Sequence, residues 1–291
     1  MTGFDEDRFP PPGVDLSHPS AARMYDYYLG GHTNWEIDRQ FADKLLGKFP
    51  IIRPICQANR MFLHRVVRYL IKQGVRQFID IGSGVPTMGH AHEVAEKDAA
   101  GQVRVAYVDN EPVAVAHSRS LLREYGDPER HTVIQGDMRD PDRLWAQIQD
   151  TGIIDVNEPV ALLLIAVLHF QQPPSPDSGT EGDLGPSLVA RYRDLLAPGS
   201  YLAISHGTED GVPAHVKDLL TQLKTAYDAS SSPVVYRDRE EITRLFGDFT
   251  LLEPGVAWTA DWHPEQADDN EVSVHFESPS ESTVLAGAAR K

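Results

Sequence analysis

From Gln77 to Ser205, short runs rich in Val and Ile alternate with longer stretches whose apolar residues recur three or four positions apart. Strands that are apolar throughout are buried on both faces, and a helix between each pair returns the chain to start the next one in the same direction. The pattern therefore predicts an α/β chain with a doubly wound, mostly parallel sheet. Strands read at residues 77–81, 104–109, 131–135, 159–166 and 201–205, with helices at 90–99, 112–124, 140–148, 186–196 and 213–229. The end breaks that rhythm. Residues 250–257 and 271–277 alternate or run apolar on either side of the polar stretch 261–270, which predicts a C-terminal antiparallel strand pair.

Three helical patterns precede the sheet, at residues 20–29, 36–46 and 55–73, interrupted at Gly30-Gly31 and Phe49-Pro50. They predict an N-terminal helical cap. Residues 1–18, with Pro10-Pro11-Pro12-Gly13, have no periodicity and read as a flexible arm. The expected organisation is thus an arm over 1–18, a cap over 19–76, the ligand-binding α/β core over 77–280 and a tail over 281–291. On the third helix, Arg60, Arg65, Arg68, Lys72 and Arg76 recur opposite Phe62, Leu63, Val66, Val67, Leu70 and Ile71, as on a solvated helix face.

Composition narrows the function. Of 291 residues, 41% are hydrophobic, enough for a substantial core. Lys and Arg number 27 against 43 Asp and Glu, and the formal charge of −16 repels phosphate backbones, so nucleic acid is not the expected partner. No apolar run approaches the roughly 18 residues of a membrane span, and the start is acidic where a signal peptide is basic; no membrane partner and a cytoplasmic location are expected. The single cysteine, Cys56, lies in a helical pattern, is expected to be buried, and excludes an internal disulfide or a Cys-cluster zinc site. In His90-Ala91-His92-Glu93, residues two apart on a helix diverge, so no metal is expected there. Oligomeric state is not encoded in any of these features.

In a doubly wound sheet the ligand lies beyond the carboxyl ends of the strands. The first strand exits through Asp80-Ile81-Gly82-Ser83-Gly84, where glycines let the backbone approach a ligand; a plain tight turn is the alternative. A dinucleotide fingerprint laid over Gly82 and Gly84 needs a third glycine where Thr87 stands, after the stiffening Pro86. The second strand ends on Asp109, 109 − 82 = 27 residues past the first glycine, followed by Asn110. A carboxylate there accepts hydrogen bonds from a ribose diol in nicotinamide and S-adenosyl sites alike, although Asp109 is equally placed to cap the next helix. The third strand leads to Gly136-Asp137-Met138, where Asp137 can accept from an adenine amine and Met138 lies beside the ring, or where Asp137 is simply a turn residue. Together these loops suit an adenosyl ligand.

The sequence also resembles a known family, the actinobacterial S-adenosylmethionine-dependent methyltransferases formerly classed as a domain of unknown function. The similarity spans roughly Pro19 to Glu277. It rests on the string Pro19-Ser20-Ala21-Ala22-Arg23-Met24-Tyr25-Asp26-Tyr27-Tyr28-Leu29-Gly30-Gly31-His32-Thr33-Asn34, on Ala58-Asn59-Arg60-Met61-Phe62-Leu63, and on Phe78 to Glu93. The resemblance implies a Rossmann-like methyltransferase fold, with S-adenosylmethionine bound by Asp80, Gly82, Gly84, Asp109 and Asp137 and S-adenosylhomocysteine as product. It leaves the acceptor open; a small molecule is the expected one.

The fourth strand delivers Leu168-His169-Phe170 to the rim, where His169 is the candidate base for a hydroxyl or amine acceptor, against the plainer reading of a packed rim histidine. The segment from Gln171 to Gly185 is long and polar enough for a lid. From the cap, Tyr25, Tyr27, Tyr28, His32, Asn34 and Trp35 are candidates for the acceptor wall, with Tyr28, His32 and Asn34 foremost. Two other readings remain at this point: a non-catalytic S-adenosylmethionine-binding regulatory protein, and a nicotinamide-dependent oxidoreductase.

Overall fold

A computed structural model describes residues 13–85, 89–174, 182–228, 232–269 and 271–291. Five parallel strands form the sheet's first part: β1 (Gln77–Ile81), β2 (Arg104–Asp109), β3 (His131–Gln135), β4 (Ala161–Ile165) and β5 (Tyr201–Gly207). All five stand where the Val- and Ile-rich runs predict. The order β3-β2-β1-β4-β5 reverses between β1 and β4, so a crevice opens beyond the carboxyl ends of those two strands.

Helices cover both faces. On one, α3 (Ile52–Lys72) and α4 (Ala91–Ala99) pack Phe62, Val66, Val67, Leu70 and Val94 onto Phe78, Val105, Tyr107, Leu163 and Ala203. On the other, α6 (Pro141–Asp150), α7 (Gly185–Leu195) and α9 (Arg239–Leu245) supply Leu144, Trp145, Val189, Tyr192 and Leu245 against Ile79, Val108, Leu162 and Ile204. The remaining helices are α1 (Ala21–Tyr28), α2 (Glu36–Leu46), α5 (Pro112–Tyr125) and α8 (Ala214–Asp228). Among the described residues no helix is long and apolar enough to cross a membrane.

The antiparallel part of the sheet exists but is built from other residues. Residues 271–277 form no strand; the long antiparallel strand is β8 (Val284–Arg290), inserted between β5 and the short β6 (Thr250–Leu251), with β7 (Ala257–Trp258) also paired to it. What reads as a tail is thus a fully paired internal strand. Its sequence, Val284-Leu285-Ala286-Gly287-Ala288-Ala289-Arg290, is poor in β-formers, but the site demands small residues: a Cβ on Gly287 would lie 3.3 Å from the Gly255 carbonyl oxygen and 3.4 Å from the Phe246 ring.

The helical cap is smaller than expected, because α3 belongs to the sheet's own helical layer. The cap proper is α1 and α2, whose Met24, Tyr28, Ala42 and Leu45 form a separate apolar cluster with Cys56, Tyr227 and Val234; Cys56 is buried there as a free thiol. The basic stretch of α3 is likewise not a solvated face. Arg60, Arg65 and Arg68 are each at most 8% exposed. Arg65 donates from Nε to the Trp262 carbonyl at 3.0 Å and pairs with Glu271, while Arg68 pairs with Asp268 and donates to the Gln266 carbonyl at 2.9 Å. These arginines clamp Trp262, Gln266, Asp268 and Glu271 onto the helix.

Candidate active site

The turn after β1 depends on two glycines. Gly82 has φ +73°, and a Cβ there would lie 2.6 Å from Val167 Cγ2, so the β1 exit and the β4 exit touch only because that side chain is missing. Gly84, at φ +65°, donates its N–H to Asp109 Oδ2 at 2.8 Å. Asp109 Oδ1 accepts from Glu111 N at 2.9 Å. The cap of α5 is Glu111, whose Oε2 accepts from Ala114 N at 2.9 Å, so Asp109 does not cap that helix. Ser83 N donates to the Val108 carbonyl at 3.1 Å in the same turn. Residues 86–88, including Pro86 and Thr87, lie outside the described residues.

Burial disfavours charge on both carboxyl groups of the site. Asp80 is pushed up to about 7 by burial, with Arg60 opposing and Asp109 adding to the rise. Asp109 is pushed up to about 6 by burial, opposed by the amides of Glu111 and Gly84. Each is therefore close to titrating at neutral pH, the condition in which a ligand's donors or positive charge shift it most.

One cavity of about 620 Å³ joins these loops to the cap. Its near half is walled by Asp80, Gly82, Ser83, Gly84, Asp109, Asn110, Gly136 and Met138. Asp137 is the exception among the expected cofactor residues. Its carboxylate is held by the Arg139 guanidinium, Nε at 3.0 Å from both oxygens, and it faces a smaller neighbouring pocket formed with Asn110, Gln135 and Arg143. Of the acceptor candidates, Tyr28 lines the cavity and so does Tyr25. His32 is exposed and lies away from it, and Asn34 is spent inside the cap, its Nδ2 donating to Asp26 Oδ2 at 2.7 Å and to the Gly31 carbonyl at 3.1 Å. Tyr27 is likewise turned away, to Asp43, and Trp35 lies under the Arg23 guanidinium. The expected lid falls partly outside the described residues, at 175–181; Gln171, Gln172 and Pro173 line the cavity.

Some cavity residues carry no signal that sequence reasoning used. Gly13, Asp15 and His18 of the arm lie in the wall, tied down by Arg23 Nη2, which donates to the carbonyls of Asp15 at 3.1 Å and His18 at 3.0 Å. Arg60 reaches the wall beside Asp80 and donates to the Gly89 carbonyl at 2.6 Å. Asn59, the residue before Arg60 on α3, holds a buried relay: Ala166 N donates to Ser205 Oγ at 2.9 Å, Ser205 Oγ to Asn59 Oδ1 at 2.6 Å, Asn59 Nδ2 to Tyr25 Oη at 2.9 Å and Tyr25 Oη to the Cys56 carbonyl at 3.0 Å. The relay pins Ala166 at φ +55°, a left-handed conformation that costs a non-glycine residue about 1–3 kcal/mol. Ser205→Ala is expected to lower stability by about 1–2 kcal/mol in urea unfolding, because it strands Asn59 Oδ1 in a buried place. Equal midpoints for the two proteins would remove the relay from the account.

His169 stands in the cavity wall with no hydrogen bond from its imidazole among the described residues. Nδ1 is shut off from solvent, whereas Nε2 retains accessible surface. Burial, and then the Arg237 charge, hold its pKa down to about 4, so the ring is neutral at neutral pH. His90 does not lie inside α4 but just before it, its N–H donating to Glu93 Oε2 at 3.1 Å, and this brings its ring within 5.2 Å of His92 rather than apart from it. Among the described residues no group of three or more His, Cys, Asp or Glu is arranged to hold a metal ion.

A parallel sheet reversing at β1/β4, with glycines at the β1 exit and buried carboxylates on β1 and β2, defines a Rossmann-like fold with a crevice suited to an adenosyl cofactor. The chain belongs to the S-adenosyl methyltransferase family, whose model matches residues 8–291. It is similar to a candidate methyltransferase of Thermobifida fusca YX, with 37% identity, a TM-score of 0.80 and coverage of 97% of this chain and 98% of that one. A DUF574 family protein of Streptomyces avermitilis MA-4680 is similar at 31% identity and a TM-score of 0.80, covering 95% and 99%. No protein of curated function matches the chain in sequence. The cofactor of the family is S-adenosylmethionine, and the cradle at Gly82 and the paired acids Asp80 and Asp109 suit it.

Proposed function

We propose that the chain transfers the methyl group of S-adenosylmethionine to a small-molecule acceptor. The observation that carries this reading is the cavity of about 620 Å³, a volume typical of small-ligand sites, which runs without a break from the Gly82–Gly84 turn to the cap tyrosines. S-adenosylmethionine supplies a methyl group already made electrophilic by its sulfonium sulfur. The residues of the chain then have three tasks: Asp109 accepts from the ribose hydroxyls, Asp80 and Arg60 set the charge at the β1 exit, and the cap walls hold the acceptor and keep water out. Alignment of two reactants in this way supplies on the order of 7–11 kcal/mol, so no triad or metal is required. The formal charge of −16 disfavours nucleic acid as acceptor.

The test is incubation with methyl-labelled S-adenosylmethionine and a cell extract, followed by separation of small from large products. Label is expected in the small-molecule fraction. Label on protein or RNA overturns the acceptor class, and tight S-adenosylhomocysteine binding with no transfer of label favours a non-catalytic, regulatory role.

A further inference from the structure

The two halves of the cavity differ in chemistry. Charged wall residues all come from the arm, α1, α3 and the exits of β1, β2 and β3. The far half is walled by Tyr25, Tyr28, Phe170, Leu223, Tyr227 and Tyr236, and among the described residues it contributes no charged side chain. These side chains form one apolar cluster, with the Phe170 and Tyr227 rings 6.0 Å apart. Two of the hydroxyls are turned to the protein, Tyr25 Oη to the Cys56 carbonyl and Tyr236 Oη toward the Leu220 carbonyl at 3.4 Å, while Tyr28 Oη is buried with no hydrogen-bond partner among the described residues. What they present to a ligand is ring surface.

His169 sits at the seam. Val167, two residues earlier, is the side chain that fills the space above Gly82, and His169 packs on Phe170 with ring centroids 4.5 Å apart. A Cβ on Gly207 would lie 3.6 Å from His169 Cβ and 3.5 Å from the Tyr236 ring, so His169 stands beside the aromatic chamber, in the wall of the same cavity as the Gly82–Gly84 turn. Its Nε2 is an accessible ring nitrogen with no partner among the described residues.

We propose that the acceptor is an uncharged aromatic molecule carrying a hydroxyl group, stacked in this chamber with the hydroxyl donating to His169 Nε2. An anion placed there would lose its hydration against ring faces, and the nearest cation, Arg237 behind His169, is already paired with Asp183, whereas a neutral ring loses nothing of the kind and gains aromatic contact. In the transfer the acceptor oxygen forms the new bond to the methyl carbon, the methyl–sulfur bond breaks with its electron pair left on sulfur, and the hydroxyl proton passes to His169 Nε2 and then to water. A weakly basic imidazole suffices, because the oxygen becomes strongly acidic only as the new bond forms, and His169 is unprotonated and ready at neutral pH.

This inference rests on the methyltransferase reading, and the experiment separates the two. The full chain is first titrated calorimetrically with S-adenosylhomocysteine; no heat of binding there defeats the methyltransferase reading and this inference with it. The saturated protein is then titrated with 2-naphthol, 2-methoxynaphthalene and 2-naphthoate. 2-Naphthol is expected to bind at least about tenfold more tightly than either of the others, the worth of one hydrogen bond to the imidazole and of avoiding a buried carboxylate. His169→Leu is expected to erase the preference over 2-methoxynaphthalene, and His169→Gln, which keeps an acceptor oxygen, to restore part of it. Equal or tighter binding of 2-naphthoate, or a hydroxyl preference that survives in His169→Leu, overturns the proposal. Should the Leu variant not fold, the naphthoate comparison on the unaltered protein still decides.

Discussion

Replacing Arg23 with Ala is expected to destabilise the protein by about 3–5 kcal/mol, the cost of leaving buried carboxylates without their cation. The guanidinium is 1% exposed and every arm of it is engaged. Nε donates to Asp38 Oδ2 at 2.8 Å, Nη1 to Glu111 Oε1 at 2.9 Å, and Nη2 to the two carbonyls of the arm. Asp38 is itself inaccessible and already collects the amides of Ser20 at 2.9 Å and Trp35 at 2.9 Å, so it joins both ends of the cap to this one cation. Glu111 lies two residues beyond Asp109 and caps α5. Loss of Arg23 therefore loosens the cap, the arm and the β2 exit together. Lysine is a poor replacement, because a point charge on a flexible stem cannot reach two carboxylates and two carbonyls in one plane. Urea unfolding of Arg23→Ala and Arg23→Lys checks this, with both expected well below the parent and Ala lowest. A loss under about 1 kcal/mol for Ala would mean that cap and core do not depend on this ion cluster.

The sequence made the parallel sheet legible because burial on both faces leaves a strong local signature, and the cofactor turn legible because positive φ and close approach require glycine at Gly82 and Gly84. It concealed β8 because that strand is held by its neighbours rather than by its own propensity: Ala288 and Ala289 are wholly buried, between β5 and β6, and Gly287 lies against the Gly255 carbonyl and the Phe246 ring. It misdirected the reading of α3, where period alone cannot distinguish an arginine facing water from Arg65 facing Glu271, a contact across 206 positions. Asp137 and Asn34 stand outside the main cavity for a related reason. Each has the right type in the right string, but Arg139 and Asp26 claim their polar atoms first. His32 is simply on the outside. Tyr28 and His169 reach the cavity because the helix and strand that carry them end at it.

Asp109→Ala is expected to weaken S-adenosylhomocysteine binding by about 10- to 100-fold, corresponding to about 1.5–3 kcal/mol for hydrogen bonds to a charged acceptor. The same carboxylate holds the Gly84 and Glu111 amides, so its removal frees the turn that must embrace the ligand as well as the contact to it. The dependence on pH distinguishes this role from a merely structural one. With folded values raised by burial to about 6 for Asp109 and about 7 for Asp80, the two acids hold more protons in the folded than in the unfolded chain between about pH 4 and 7. Their contribution to the stability of the free protein is fully present below about pH 4 and is lost as the pH rises through 6 and 7. Ligand binding has the opposite sign. Ribose hydroxyls donate to the ionised form of Asp109, so binding releases protons and tightens as the pH rises toward a plateau above 7. At pH 5 about one molecule in ten carries Asp109 ionised, which predicts affinity about tenfold below the plateau. Calorimetric titrations in buffers of different ionisation enthalpy count the released protons. Asp109→Ala should flatten the profile between pH 5 and 7 apart from the contribution of Asp80; an unchanged profile and unchanged affinity would take Asp109 out of the cofactor site altogether.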